Sequence, residues 1–313
     1  MNPLSAMFGA GVAIRNALYD RGLLTVNRLA RPVISIGNIS VGGSGKTPFV
    51  IALGELLKLQ GVQLDVLSRG YGRKTTAVTM IDPLGLPAEF GDEPLLIARK
   101  LQVPVIVGAD RYQAGLLAER TLPTQLHLLD DGFQHRQLHR DVDIVMLADS
   151  DLEDRLLPIG RLREPVASLR RADVLVTEYT GADFTNAIWP VKRELHLDSA
   201  GTLSAVIFCG VARPQRFFSE VEGLLGAGCA MERVAFPDHH HYRAEDIERL
   251  LRLKEQSGAE CFITTEKDEI NLGKFVERLQ LLKIARLELR LQNPERALDS
   301  LTRTLRKRCG LQF

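Results

Sequence analysis

The residues from Ser40 to Thr47 read Ser-Val-Gly-Gly-Ser-Gly-Lys-Thr, types suited to holding a chain of phosphates. Gly42, Gly43 and Gly45 let successive backbone N–H groups turn toward one anion. Lys46 can reach the β- and γ-phosphates, and the Thr47 hydroxyl can bind Mg²⁺. Ser40, Val41 and Ser44 complete the loop, with Ser40 standing where such loops usually begin with glycine. An ordinary tight turn between a strand and a helix is the plain alternative. Context favours phosphate. The apolar run from Pro32 to Gly37 reads as a strand, and Pro48 to Leu57 reads as a helix ending near Gly61. The loop therefore opens a helix whose N-terminus is itself electropositive. Pro48 falls in the first helical turn, where a missing N–H costs little.

Carboxylates and histidines elsewhere have matching chemistry. Leu126–Leu129 is an apolar strand ending in Asp130-Asp131, the pattern that places a carboxylate beside the Mg²⁺ of a phosphate loop. A solvated acidic turn is the other reading. Asp92, in Gly91-Asp92-Glu93-Pro94, stands before a helical run, where an N-cap is the commonest job for aspartate. His239-His240-His241 invites a metal, yet adjacent histidines on an extended loop point different ways, and no second ligand set has zinc spacing. A proton-handling or orienting histidine fits better, beside a purely structural role. Ser68-Arg69-Gly70-Tyr71-Gly72-Arg73 is either an anion-binding loop or a turn. Arg161, Arg163 and Glu164 share the loop Leu156–Pro165.

These residues must be carried by alternating strands and helices. Through residue 177 the chain reads β-α-β-α, which implies a parallel sheet covered by helices. Trp189-Pro190 looks like a boundary, and Val191–Leu197 alternates as a linking strand would. The second part repeats the rhythm, with strands at Leu203–Cys209, Arg233–Phe236 and Cys261–Thr264 and helices at Gln215–Leu225 and Ala244–Gln256. Three polar loops, Gly210–Pro214, Pro237–Tyr242 and Thr265–Asp268, follow strands directly. All three belong at the carboxyl edge of one parallel sheet, where open α/β sheets bind ligands. The expected division is 1–32 as an N-terminal helical segment, 33–188 as a phosphate-loop domain and 189–313 as a smaller α/β domain.

Composition narrows the class. A chain of 313 residues with formal net charge +1 has no overall basic surface for nucleic acid. Its cysteines, Cys209, Cys229, Cys261 and Cys309, are scattered without a C-x-x-C pair, which suits a reducing compartment. No apolar run approaches the ~20 residues that span a bilayer, and no signal peptide is evident. Residues 1–32 combine apolar side chains with four arginines against Asp20 alone, a net charge of +3. That composition fits a helix lying in a membrane interface, or equally one packed on the domain with its arginines in water.

Together these motifs resemble the tetraacyldisaccharide 4′-kinase family of lipid A biosynthesis. The resemblance rests on Gly37-Asn38-Ile39 before Val41–Pro48, Ser68–Gly72, Gly91–Pro94, Asp130–His135, Leu162–Pro165, Phe236–His240 and Thr264–Asp268, in order along nearly the whole chain. It implies ATP- and Mg²⁺-dependent phosphorylation of the 4′-hydroxyl of a tetraacylated glucosamine disaccharide 1-phosphate, giving lipid IVA. It implies a peripheral (monotopic) enzyme on the cytoplasmic face of a bacterial inner membrane, with no nucleic acid and no obligate protein partner. It also implies a P-loop NTPase-type sheet and a second α/β lobe joined by a two-stranded linker, with nucleotide in the cleft. By the same resemblance Ser40–Thr47 hold ATP, Asp92 and His239 form the base machinery, and Asp130 and Asp131 form the metal and phosphate site with Thr47. Lys46, Arg163 and Glu164 stand near the reacting groups, Glu164 as a further metal ligand. Arg161 occupies a slot expected to be smaller or apolar. A metal-delivery GTPase is the rival from another class, but Thr265-Glu266-Lys267-Asp268 has Glu where the guanine motif has Asn. A kinase for a soluble metabolite is a second rival.

Overall fold

A computed structural model describes residues 3–73, 75–178, 184–198, 204–226 and 231–310. Cys229 and Leu203 lie outside the described residues; Cys209, Cys261 and Cys309 are free. The first part of the chain runs α1 (Pro3–Asp20), β1 (Val33–Asn38), α2 (Lys46–Leu59), β2 (Leu64–Ser68), β3 (Thr79–Met80) and α3 (Pro87–Phe90). It continues with α4 (Asp92–Leu101), β4 (Val105–Val107), α5 (Arg111–Thr121), β5 (Leu126–Asp130), β6 (Val142–Met146), α6 (Asp149–Leu152) and β7 (Val174–Thr177). After β8 (Ala187–Leu197) come β9 (Ala205–Cys209), α7 (Pro214–Leu225), β10 (Met231–Ala235) and α8 (Ala244–Ser257). The chain closes with β11 (Cys261–Thr265), α9 (Glu266–Leu272), β12 (Leu282–Leu291) and α10 (Pro294–Cys309).

The strands form one sheet in the order β10-β9-β11-β12-β8-β7-β6-β1-β5-β2-β4-β3. Its larger half is parallel apart from the short edge strand β3, and its strands β1, β2 and β4–β7 are buried along their whole length. Helices on both faces explain why these strands read as continuous apolar runs rather than alternating ones. The smaller half, β10-β9-β11-β12, is also parallel.

One strand pair joins the halves. The first residues of β8 pair with β7, from Ala187 opposite Val174 to Pro190 opposite Thr177. From Val191 onward β8 pairs with β12 instead, antiparallel, through Leu197 opposite Ala285. The other end of β12, from Leu282 to Ala285, pairs with β11. The two half-sheets thus sit at opposite ends of a two-stranded ribbon and run in opposite senses, so their carboxyl edges face each other. Trp189-Pro190, expected as a break, lies inside β8 where the strand changes partners. Proline has no N–H to donate, and Gln292 supplies one to its carbonyl at 2.9 Å.

The division at residue 189 needs one correction. It assigns residues 294–309 to the smaller lobe, but the buried face of α10 (Ala297, Leu301, Leu305) joins the core that β1, β6, β7, α2 and α4 build in the larger lobe. Arg308 pins the helix end by donating to the Asp173 carboxylate and to the Asp141 carbonyl. We expect Leu301→Ala, at a position 1% exposed, to cost about 3 kcal/mol, the usual range for a buried leucine. Urea unfolding followed by circular dichroism measures it; a loss under about 1 kcal/mol would mean α10 is not part of that core.

Candidate active site

The cleft between the facing edges encloses about 510 Å³. Gly42–Thr47 form one wall, and Ala212, Arg213, Asp238, His239 and Thr265–Lys267 form the other. Gly42, Gly43 and Gly45 have φ of 62°, 67° and 81°, left-handed values that the loop needs and that side chains rarely adopt. A Cβ on Gly42 would also come within 2.7 Å of the Ala212 side chain, so the smaller lobe lies directly on the loop. Ser40 is buried and bridges to Leu162, and Val41 N–H donates to the Arg161 carbonyl. The Arg161 side chain donates to the carbonyls of Val41 and Gly42 at 2.7 and 3.1 Å. Its unexpected bulk thus braces the outer face of the loop.

Beneath the loop lies a compact charge network. Lys46 Nζ donates to Asn38 Oδ1 at 3.1 Å and stands 3.5 Å from Asp131 Oδ1. Arg163 clamps Asp131 with two bonds, 2.8 and 2.9 Å, and also donates to Asn38 Oδ1. Although burial opposes it, Lys46 and Arg163 hold the Asp131 carboxyl well below the ordinary range. Asp130 behaves oppositely. Burial first, then Glu93 and Asp131, push its carboxyl up to about 7. Ser68 Oγ donates to its Oδ2 at 2.9 Å, while its Oδ1 is buried without a partner. A buried, half-unsatisfied carboxylate beside a phosphate loop fits a cation, and Thr47, 8% exposed at the start of α2, is the hydroxyl that ends the loop. Among the described residues no cluster of three acidic, histidine or cysteine ligands exists. Mg²⁺ characteristically takes one or two carboxylates and fills its remaining positions with water and phosphate.

Glu164 does not belong to this group. Both its oxygens accept from Arg171, at 2.8 and 3.1 Å, and further bonds come from Asn16 of α1 and Gln134. It is 1% exposed and fully partnered, in a buried ion pair that ties α1 to the larger lobe.

The opposite wall brings together Asp92 and His239, 147 positions apart in sequence. His239 Nδ1 lies 3.1 and 3.0 Å from the two oxygens of Asp92. Asn271 Nδ2 donates to Asp92 at 2.9 Å, and the Glu93 N–H donates at 2.8 Å. Asp92 is the first residue of α4, whose cap is Gly91; its side chain serves His239 rather than capping the helix. Burial would raise its pKa, but His239 and Lys267 outweigh that and bring it down to about 2. For His239, burial pushes the imidazole down and the Asp92 hydrogen bond outweighs it, leaving the group above the ordinary histidine value. His239 Nε2 lies 3.2 Å from Lys267 Nζ, and the Tyr71 ring packs 5.1 Å away. The three histidines have separate fates: His240 Nε2 pairs with Asp246 at 2.9 Å, and His241 is exposed.

Asn38, Lys267 and Asn271 were not singled out from sequence. Lys267 and Asn271 stand four apart on α9, a spacing that puts both on the face toward Asp92; the signal was present in the residues after Thr265. The Glu164 assignment has a direct test. Glu164→Ala leaves Arg171 buried and unpaired, and should cost about 3–5 kcal/mol. Mg²⁺-ATP affinity of the folded variant, titrated at low temperature, should stay within about twofold; a large loss would restore Glu164 as a metal ligand.

Comparison with known proteins places the chain in a family. A family model described as LpxK, tetraacyldisaccharide-1-P 4′-kinase, matches residues 1–306. A tetraacyldisaccharide 4′-kinase of Koribacter versatilis (strain Ellin345) is 47% identical, covering 99% of this chain and 100% of that protein. One from Aquifex aeolicus (strain VF5) is 39% identical over 86% of this chain and 88% of its own. The crystal structure of LpxK from Aquifex aeolicus in complex with ATP superposes with a TM-score of 0.78 at 33% identity, covering 96% of this chain and 97% of that one. The chain thus belongs to the tetraacyldisaccharide-1-P 4′-kinase family.

Proposed function

We propose that this chain transfers the γ-phosphoryl group of ATP to the 4′-hydroxyl of a tetraacylated glucosamine disaccharide 1-phosphate at a membrane surface. The observation that carries the reading is the cleft itself. It sets a phosphate loop with its lysine across from a histidine–carboxylate pair, in a member of this family. The Gly42–Thr47 backbone and Lys46 bind the nucleotide's phosphates. Asp130 and Thr47 would hold Mg²⁺, with Asp131 keeping Lys46 and Arg163 in place; when bound, the ion neutralises phosphate charge. Phosphoryl transfer asks the protein mainly for positioning and charge stabilisation.

His239 receives the proton. Asp92 is buried with both oxygens engaged, whereas His239 lines the cleft. Asp92 therefore orients the imidazole and balances its charge, and the hydroxyl proton passes to His239 Nε2 as the sugar oxygen attacks phosphorus. This divides the roles within the expected Asp92–His239 pair.

The acceptor explains α1. Polar contacts fix its inward side, where Ser5 donates to the Leu156 carbonyl and Asn16 donates to Glu164. Met7 and Ile14, 72% and 62% exposed, face outward with Leu4, and Leu23 follows. A docked helix that leaves Leu4, Met7 and Ile14 in water suits burial of that face in a lipid interface, with arginines drawn to anionic headgroups. Among the described residues no helix is long and apolar enough to cross a membrane. We place the protein on the cytoplasmic face of the inner membrane as a peripheral enzyme, with no obligate protein partner.

Two outcomes test this. With labelled γ-phosphate, transfer should go to lipid A precursors and not to soluble sugars, and should rise with pH as the His239–Asp92 pair loses its extra proton. Because Asp92 raises the imidazole, this limb lies above about 6.5, and Asp92→Asn should move it down while lowering kcat by about 10²-fold or more. The double variant with His239→Ala should be little worse than the worse single one; multiplying losses would mean the two act independently. In vesicle sedimentation, Met7→Ser/Ile14→Ser should release the protein from anionic vesicles while ATP binding stays intact. Unchanged sedimentation would remove the membrane role of α1.

A further inference from the structure

The cations that line the cleft are nearly all committed. Lys46 is held by Asn38, Lys100 by Glu266, and Lys267 by Asp238. Arg193 and Arg216 share Glu220, and Arg290 bonds Glu288. Arg213 differs: among the described cations of the cleft it has no hydrogen bond, and its nearest carboxylate oxygen is Asp151 Oδ1 at 3.6 Å. Asp151 is fully buried on α6 of the larger lobe, and that oxygen has no hydrogen-bond partner. Arg213 comes from the smaller lobe, at the cap of α7. Its side chain crosses the phosphate loop so closely that a Cβ on Gly43 would lie 3.0 Å from its Cγ and 3.5 Å from its Nε.

The place on the loop matters. A Cβ on Gly42 would be 3.5 Å from Asp238 Oδ2, and Asp238 adjoins His239. The Gly42–Gly43 end of the loop therefore faces the histidine pair, and a phosphoryl group passing between them must travel past Arg213. Arg161 lies on the same stretch, but its guanidinium is spent on the carbonyls of Val41 and Gly42. An uncommitted guanidinium at the point where negative charge shifts is the arrangement that speeds phosphoryl transfer in other phosphate-loop enzymes.

We infer that Arg213 is a catalytic residue that contacts the transferring γ-phosphoryl group from the smaller lobe, and that Asp151 holds its guanidinium over the loop when no nucleotide is bound. The inference rests on the kinase reading above. It gives the smaller lobe a chemical role as well as a steric one, because that lobe brings a positive charge to the loop.

Calorimetric titration with ADP and with the Mg²⁺ complex of a non-hydrolysable ATP analogue tests it without any lipid. Arg213→Ala should weaken the analogue by about tenfold or more while ADP changes by less than about twofold. With lipid acceptor, kcat should fall by about 100-fold or more, and Arg213→Lys should recover part of both losses. Asp151→Asn, which keeps an acceptor but removes the charge, should leave kcat within about threefold. Equal weakening of ADP and analogue, a kcat change below threefold in Arg213→Ala, or full reproduction of the loss by Asp151→Asn would overturn the assignment and make Arg213 a tie between lobes. Arg213→Gln carries the same comparison should the alanine variant not fold. A wild-type protein that binds both nucleotides but phosphorylates no lipid would refute the acceptor, while the ADP–analogue comparison would still decide Arg213.

Discussion

The antiparallel ladder between β8 and β12 is the constraint on which the rest depends. A parallel sheet gathers its strand-to-helix loops at its carboxyl edge, so a single such sheet builds one wall of a cleft. By reversing direction once, at the ribbon, the chain sets two carboxyl edges face to face. Everything chemical follows from that reversal. The phosphate loop after β1 and the acid pair after β5 come from one edge, while His239 after β10 and Lys267 after β11 come from the other. Asp92 and His239 meet only because these edges do.

Charge is then distributed so that each group limits its neighbour. Asp131 is neutralised by Lys46 and Arg163, which leaves Asp130 as the carboxylate with unmet demand. Lys267 stands between Glu93, Asp238 and the His239–Asp92 pair, so the far wall also holds a cation matched to its acids. Neither wall is a loose collection of charges: each has a polar anchor, Asn38 on one side and Asn271 on the other, that fixes its ionised partners.

Much of this was legible in the sequence. Buried parallel strands read as unbroken apolar runs, and the glycines before Lys46 announce a backbone shape few other residues adopt. Other features were not. β12 alternates apolar and charged residues and takes its place from pairing with a strand far earlier in the chain, while α10 has only a narrow apolar face in a highly charged helix. Neither shows its destination locally. The ion pair of Glu164 with Arg171 had no local signal, because an acid beside Arg163 looks the same whether it faces the cleft or α1. The pairing of Asp92 with His239 had no local signal at all; only the family resemblance pointed to it.

The return of α10 to the larger lobe bears on how the molecule is made. The larger lobe begins the chain, yet its core is finished by a helix that is translated after the whole of the smaller lobe. A nascent chain therefore leaves the apolar surface that α10 covers on β6 open until α10 emerges from the ribosome. The smaller lobe, contiguous from β8 to β12, has every strand in hand before then. Its folding precedes the completion of the lobe that started first, and a prematurely terminated chain would expose that surface to chaperones and proteases.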